Sequence, residues 1–391
     1  MKKVCVVTAT RAEYGLLRRV IQQILSDDML ELVLVVTGSH LSRTFGYTVR
    51  EIEEDGFPIA ERIAILEEDA TEAGICQTMG NAAALFGEMY QRQKPDLVIV
   101  EGDRYELLPI CSSAMICGIP IAHISGGEIT EGAIDDVVRH CITKMSYLHF
   151  PACEEYRKRI IQLGEEPARV FNFGDVGVEN VRKMDFLSKA ELEKYMGVSL
   201  AKPYASVTFH PVTLEKDTAK AQTRALVSVL EKYSGLTFII TMANADLQGQ
   251  MINDIFQESA RHCKNIICYS SLGIRRYLSL VKYAEFVIGN SSSGIVEVPC
   301  FGIPTINIGD RQKGRLRAES IIDCAPKEEE IERSIEKAMS HSFREIANKA
   351  KNPYGDGDTS LLIVNTVKSI LQTGAIQQKK KFYDINVSCT L

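Results

Sequence analysis

The chain has 391 residues, 45% of them hydrophobic and 25% charged, with a formal net charge of -6. That length suits two domains of ordinary size with ample core, and the acidic balance argues against a nucleic-acid binder. No apolar run approaches the length of a membrane span, and none of the 11 cysteines forms a Cys-x-x-Cys pair or a zinc-like Cys/His set.

The amino terminus, "MKKVCVVTAT", runs straight into a short strand. It is too brief for the apolar region of a signal peptide, so a cytoplasmic protein with reduced, buried cysteines is expected. Short apolar runs then alternate with helical patterns. In the first half they fall at 4–8, 31–38, 96–102, 119–125, 147–152 and 170–174, with amphipathic stretches such as 16–25 and 153–163 between them. Uniformly apolar strands joined by helix-length crossovers predict a parallel sheet covered on both faces. A charged segment, 183–203, follows and carries a capping-box start at Ser188 with Glu191 three residues on. The pattern then restarts, with runs at 204–210, 236–244, 265–270, 286–290 and 304–309.

The expected fold is therefore α/β: two Rossmann-like doubly wound domains facing each other across a cleft. The first is expected over 1–182 and the second over 183–365. The last helix is expected at about 359–372. A basic tail completes 366–391, as a loosely ordered terminus or packed back on the first domain.

Ligands of such sheets bind beyond the carboxyl ends of the strands. Polar residues gather there: "TATRAEYG", "EGDRYE", "HISGGEITEGAIDD", "FHPVT", "MANAD", "GNSSSG" and "GDRQKGR". In "GNSSSGIVEV" a strand turns into a helix, whose free N–H groups and dipole suit an anion. Ser291 and Ser292 add hydroxyl donors, and Gly294 allows close backbone approach. Glu297 is placed to accept from a ribose diol, and Arg311 supplies positive charge after the next strand. Gly-x-Gly-x-x-Gly and the P-loop motif are both absent, so a nucleotide diphosphate held by the second domain fits better than a dinucleotide or a P-loop triphosphate. The first domain supplies acids at Asp103, Glu128 and Asp135, suited to acid/base chemistry on the far end of that ligand. His210 ends the first strand of the second domain and faces the cleft. His123 and His149 read as core histidines, and one of Arg139 and His140 is expected to face the cleft.

Taken in order, "TATRAEYGLL", "GDRYE", "HISGGE", "GAIDDVVRHCITKMSYLHF", "FHPVT", "GNSSSGIVEVPCFGIPTINIGDRQKGR" and "NPYGDG" resemble the hydrolysing UDP-N-acetylglucosamine 2-epimerases of sialic-acid biosynthesis over roughly residues 1–385. The resemblance implies a glycosyltransferase-B-like fold and conversion of UDP-GlcNAc and water to N-acetylmannosamine and UDP. It implies Asp103, Glu128, Asp135 and His210 as catalytic groups. It implies Arg11 and Arg104 on the nucleotide sugar, and Asn244, Ser291, Ser292, Glu297 and Arg311 around the UDP. No cofactor or metal is expected; the partner is a UDP-sugar, with a homodimer implied. One position departs: related epimerases carry a glutamate two residues after the histidine of the "HI" motif, where this chain has Ser125. The alternatives are the hydrolysing 2-epimerase of UDP-2,4-diacetamido-2,4,6-trideoxyglucose and, from another class, a UDP-sugar glycosyltransferase.

Overall fold

The computed structural model describes residues 1–67, 71–131, 133–212, 215, 218–243, 248–355, 357–374, 376 and 379–385. Twelve strands among them form two six-stranded parallel sheets. The first holds β1 (Lys2–Thr8), β2 (Leu30–Thr37), β3 (Ile59–Ile63), β4 (Leu97–Glu101), β5 (Ile121–Ile124) and β6 (Leu148–Phe150), in the order β3-β2-β1-β4-β5-β6. The second holds β7 (Tyr204–Thr208), β8 (Thr237–Thr241), β9 (Ile266–Tyr269), β10 (Phe286–Gly289), β11 (Thr305–Ile308) and β12 (Ile321–Cys324), in the order β12-β11-β10-β7-β8-β9. Read from the opposite edge, the second order repeats the first. Each sheet is doubly wound and reverses direction once, between β1 and β4 and between β7 and β10. No helix among the described residues is long and apolar enough to cross a membrane.

The central strands β1, β4, β7 and β10 are almost wholly buried, which is why they read as apolar runs. The edges read differently. β3 (Ile-Ala-Glu-Arg-Ile) alternates in burial and β12 (Ile-Ile-Asp-Cys) is half-exposed, so neither carries the two-sided apolar signature. Conversely, the expected strand at 170–174 forms only a bridge between Val170 and His149. Its Phe171 and Phe173 stack on Phe150 with ring centroids 6.0 and 6.1 Å away, so the apolar residues serve packing rather than a ladder. The cysteines are unpaired among the described residues, and Cys5 and Cys111 are buried as expected. Cys76 and Cys141, however, are exposed, and Cys268 and Cys324 are half-buried in strands nearer the sheet edges.

The chain crosses between sheets through the helix Val176–Lys183 and later returns. The helix Thr359–Thr373 places Ile363, Val364, Val367 and Leu371 in the same core as Val4, Val6, Leu17 and Ile21. A boundary at 365 therefore cuts this helix, which belongs to the amino-terminal unit because its apolar face is buried there. The segment after it also lies on that unit. Lys380 Nζ donates to the carbonyl oxygens of Lys144 and Ser146 at 2.9 and 2.6 Å, and Phe382 lies against Lys144 and Gly164.

Lys380 also reaches Glu165, whose carboxylate is fully buried beside His149 and Lys144. Burial alone pushes this acid up, but hydrogen bonds from His149, Lys144 and Lys380 outweigh it and hold it at about 2. An acid held below its unfolded value of 4.5 adds stability above that pH and loses it as the pH falls toward 2. We expect Lys380→Met to destabilise the protein at pH 7 by about 1–3 kcal/mol. Urea unfolding should show the gap from the parent narrowing below about pH 4.5.

Candidate active site

The two switch points face each other, and the cleft between them narrows to a cavity of about 160 Å³. Its amino-terminal wall is built from the ends of β1, β4 and β5, with Thr10, Glu13, Glu101, Asp103, Arg104, Ser125 and Glu128. Asp135 and Arg139 join them from the helix Asp135–Met145, and Asp175 from the cap of the crossover helix. The carboxy-terminal wall carries His210 after β7, Ser291, Ser292, Ser293 and Glu297 after β10, and Arg311 and Arg315 after β11.

Asp103, Glu128, Asp135, His210, Arg104, Ser291, Ser292, Glu297 and Arg311 thus share one cavity. Three expected residues stand differently. Asn244 lies outside the described residues. Gly294 is buried behind the serines, where an added Cβ would sit 2.9 Å from Thr305 Cγ2. The close approach it permits is to β11, whose Thr305 hydroxyl bonds the Gly294 carbonyl at 2.9 Å, rather than to the cavity. Arg11 borders the adjoining space, its guanidinium donating to the main-chain carbonyls of Met242, at 2.8 Å, and Ser270. It ties the first domain to the second, because both carbonyls belong to loops of the second sheet. Of the pair left open by the sequence, Arg139 faces the cleft, while His140 turns toward Asp136 at 3.6 Å. His123 is a core histidine, bonded to Gly102 O at 2.8 Å and the Thr143 hydroxyl at 3.1 Å.

Seven carboxylic acids and four arginines line the cavity. Burial cannot leave every acid charged, and the structure divides them. Asp103 is bound by the buried Arg139, itself held by Glu128 O at 3.0 Å and Thr130 Oγ1 at 3.1 Å. Burial would push Asp103 up, but Arg139, Arg315 and Arg311 outweigh it and hold its carboxyl below the usual range. Glu128 is ion-paired to Arg315 across the cleft at 2.5 Å.

The remaining acids move the other way. Glu13 accepts from Ala9 N at 2.8 Å through Oε2, while its Oε1 is buried without a partner among the described residues. Burial raises it to about 8, with further push from Glu106 and Asp103. Glu101 is raised well above its ordinary value by burial, then by Glu13 and Asp103. Burial likewise lifts Asp175 to about 6 and Glu297 to about 7. The cavity therefore holds ionised and protonated carboxyl groups side by side, the arrangement that acid/base chemistry at neutral pH requires.

Opposite the acids, Ser291 caps the short helix Ser292–Val296 and accepts from Ser293 N at 3.4 Å. Asn290 organises this wall. Its side chain bonds both the N–H and the carbonyl of His210, at 2.7 and 2.8 Å, while its own carbonyl accepts from Arg311 at 3.2 Å and Gln312 at 2.9 Å. Hydroxyls, a histidine and a guanidinium thus converge where β7 and β10 part, a set of donors suited to an anion.

The family described as UDP-N-acetylglucosamine 2-epimerase matches residues 22–368. The chain belongs to this family. Its relatives include a GDP/UDP-N,N'-diacetylbacillosamine 2-epimerase (hydrolyzing) of Campylobacter jejuni, 43% identical over 88% of this chain and 89% of that one. They also include the polysialic acid biosynthesis protein P7 of Escherichia coli, 38% identical over 98% of both chains. A crystal structure of UDP-GlcNAc 2-epimerase from Neisseria meningitidis bound to UDP-GlcNAc shares the fold, with a TM-score of 0.79 at 17% identity over 94% of this chain and all of that one. The chain is thus a nucleotide-sugar 2-epimerase with two Rossmann-like domains in the glycosyltransferase-B-like arrangement.

Glu13, Glu101, Asp175 and Arg315 extend the constellation read from the sequence. All but Asp175 lie inside motifs singled out there. Glu13 gives a direct test of the protonated set. A carboxyl raised in the folded state adds stability that is full below its unfolded value of 4.5 and is lost as the pH rises through about 8. Glu13→Gln keeps an acceptor for Ala9 N and removes the titration. Relative to the parent, the variant should gain stability as the pH rises from about 5 to about 8, by up to about 1.4 kcal/mol per unit. Urea midpoints across that range measure it.

Proposed function

We propose that the protein is a hydrolysing 2-epimerase of a UDP-linked 2-acetamido hexose, converting UDP-GlcNAc and water to N-acetylmannosamine and UDP in the cytoplasm. One observation carries this reading: Asp103, Glu128 and Asp135 share a cavity with Ser291, Ser292, His210 and Arg311. A diphosphate on the second wall presents its hexose to acids on the first.

The C2 hydrogen of the sugar is not acidic, whereas UDP is a good leaving group. In this reading the C1–O bond breaks first, its electron pair leaves with UDP, and positive charge develops at C1. Arg311, His210 and the serine hydroxyls stabilise the leaving charge. A carboxylate then takes the C2 proton and the C–H pair closes the C1–C2 double bond, giving a glycal. Asp103, kept ionised by Arg139, fits that acceptor. Water adds its oxygen to C1, and C2 receives a proton on the opposite face, which inverts it. Glu128 and Asp135 provide acid/base groups for this second half. Glu297, buried on the UDP side, fits the ribose diol.

The diacetamido-trideoxy sugar nucleotide is a second reading for the same chemistry, favoured by the 43% identity to the Campylobacter relative. The 29% identity to the UDP-N-acetylglucosamine 2-epimerase of Neisseria meningitidis, over 99% of this chain and all of that one, favours UDP-GlcNAc.

Incubation with each UDP-sugar in deuterated water, followed by NMR, tests the reading. We expect UDP and a free manno-configured sugar with deuterium at C2. UDP release without the label indicates plain hydrolysis, and turnover only with an added acceptor indicates a transferase. Asp103→Asn should lower kcat at least about 100-fold, while calorimetry finds UDP affinity within a few-fold of the parent.

A further inference from the structure

Among the described residues, one carboxylate of the hexose wall takes its ion-pair partner from the opposite domain. Glu128 lies just beyond β5, is 2% exposed, and receives Arg315 Nη2 at 2.5 Å on Oε2. Arg315 belongs to the turn after β11 on the opposite sheet, and its side chain is 9% exposed.

That turn is fastened at both ends. Toward the second sheet, Arg311 Nη1 and Gln312 Nε2 both donate to Asn290 O. Asn290 also fixes the main chain of His210 and immediately precedes Ser291. Toward the first sheet, Glu131 N donates to Lys313 O at 3.1 Å, and Leu316 N to the Tyr156 hydroxyl at 3.2 Å. Tyr354 bonds both Leu316 O and Tyr156, each at 3.0 Å. Gly314, at φ +93°, lets the turn press against Ile129, where a side chain would collide. One short segment thus joins the groups facing the diphosphate to an acid facing the hexose.

We propose that Arg315 is a positioning residue: it carries the Glu128 carboxylate into its working place from across the cleft and couples that placement, through Asn290, to the grip on the diphosphate. This rests on the epimerase reading. When the domains part, Glu128 loses its counter-ion and turns to solvent. When Ser291, His210 and Arg311 close on the diphosphate, the turn they share with Arg315 delivers the acid. The diphosphate grip and the setting of Glu128 are one movement.

The parent enzyme's turnover of the UDP-sugars tests the functional reading, and variants of Arg315 test this one separately. Main-chain bonds hold the turn, so the fold should survive Arg315→Gln, as circular dichroism and the melting temperature will show. We expect Arg315→Gln to lower kcat about 100-fold, the order lost when a catalytic group is misplaced by about 1 Å. UDP affinity by calorimetry and KM should stay within about three-fold. Arg315→Lys, keeping a cation but losing the planar fork, should recover about ten-fold of that loss. Glu128→Gln combined with Arg315→Gln should be no slower than Glu128→Gln alone, because both remove one unit. The inference is overturned if Arg315→Gln keeps kcat within a few-fold of the parent. It also fails if kcat and UDP affinity fall together, if lysine rescues nothing, or if the two substitutions multiply.

Discussion

Charge compensation across the cleft is the constraint on which the rest depends. Seven acids in one cavity are tolerable only because four arginines share it. Those arginines come from both sides, Arg104 and Arg139 from the first domain and Arg311 and Arg315 from the second. Asp103 feels cations from both walls, and among the described residues Glu128 is ion-paired from the far one. The acids that form no ion pair with an arginine among the described residues, Glu13 and Glu101 foremost, lie deep in the wall, and burial raises them. The electrostatics of the site are therefore a property of the closed pair of domains rather than of either alone.

The topology makes that pairing accurate. Both sheets run in the same doubly wound order, so each offers one crevice where its strand order reverses. Residues projecting from the ends of buried central strands inherit the rigidity of the ladder beneath them. Asp103 follows β4, Glu128 follows β5, and Ser291 follows β10. The loops that cross the cleft do so through main-chain groups as much as side chains, as with Arg11 on Met242 and Ser270 and Glu131 on Lys313. Such contacts hold the two walls together in the closed arrangement.

Legibility in the sequence followed the same physics. Central strands covered on both faces announce themselves as apolar runs, and ten of the twelve strands coincide with runs recognised there. Of the four edge strands, β6 and β9 still read as apolar runs, whereas β3 and β12 have a mixed composition and pass for loop. The polar clusters after the strands were legible as a site because a doubly wound sheet has only one productive end. Which member of a cluster points inward was less so. In "EGDRYE" the acids at 101 and 103 both reach the cavity, and in "GDRQKGR" the inward cations are Arg311 and Arg315, while Lys313 pairs with Glu131 outside. Nothing local distinguishes them; the choice is made by a partner on the other domain. Arg11, expected on the nucleotide sugar, borders the adjoining space with His210 and Ser291, and its guanidinium also reaches carbonyls more than two hundred residues away.

The division of the acids into two protonation classes bears directly on stereochemistry. Inversion at C2 needs a proton removed from one face and another delivered to the opposite face. Two identical carboxylates would serve this badly, since both would hold or both would lack the proton at a given pH. Here, the guanidinium of Arg139 keeps the Asp103 carboxyl below the usual range, as the proposed acceptor requires. Burial instead raises Glu13 and Glu101 in the same wall, so they hold their protons more tightly. The difference is set by distance to a cation rather than by residue type, and the second wall strengthens it through Arg315 and Arg311. Water admitted between the walls would solvate all the acids alike and erase the distinction on which a directional proton transfer depends.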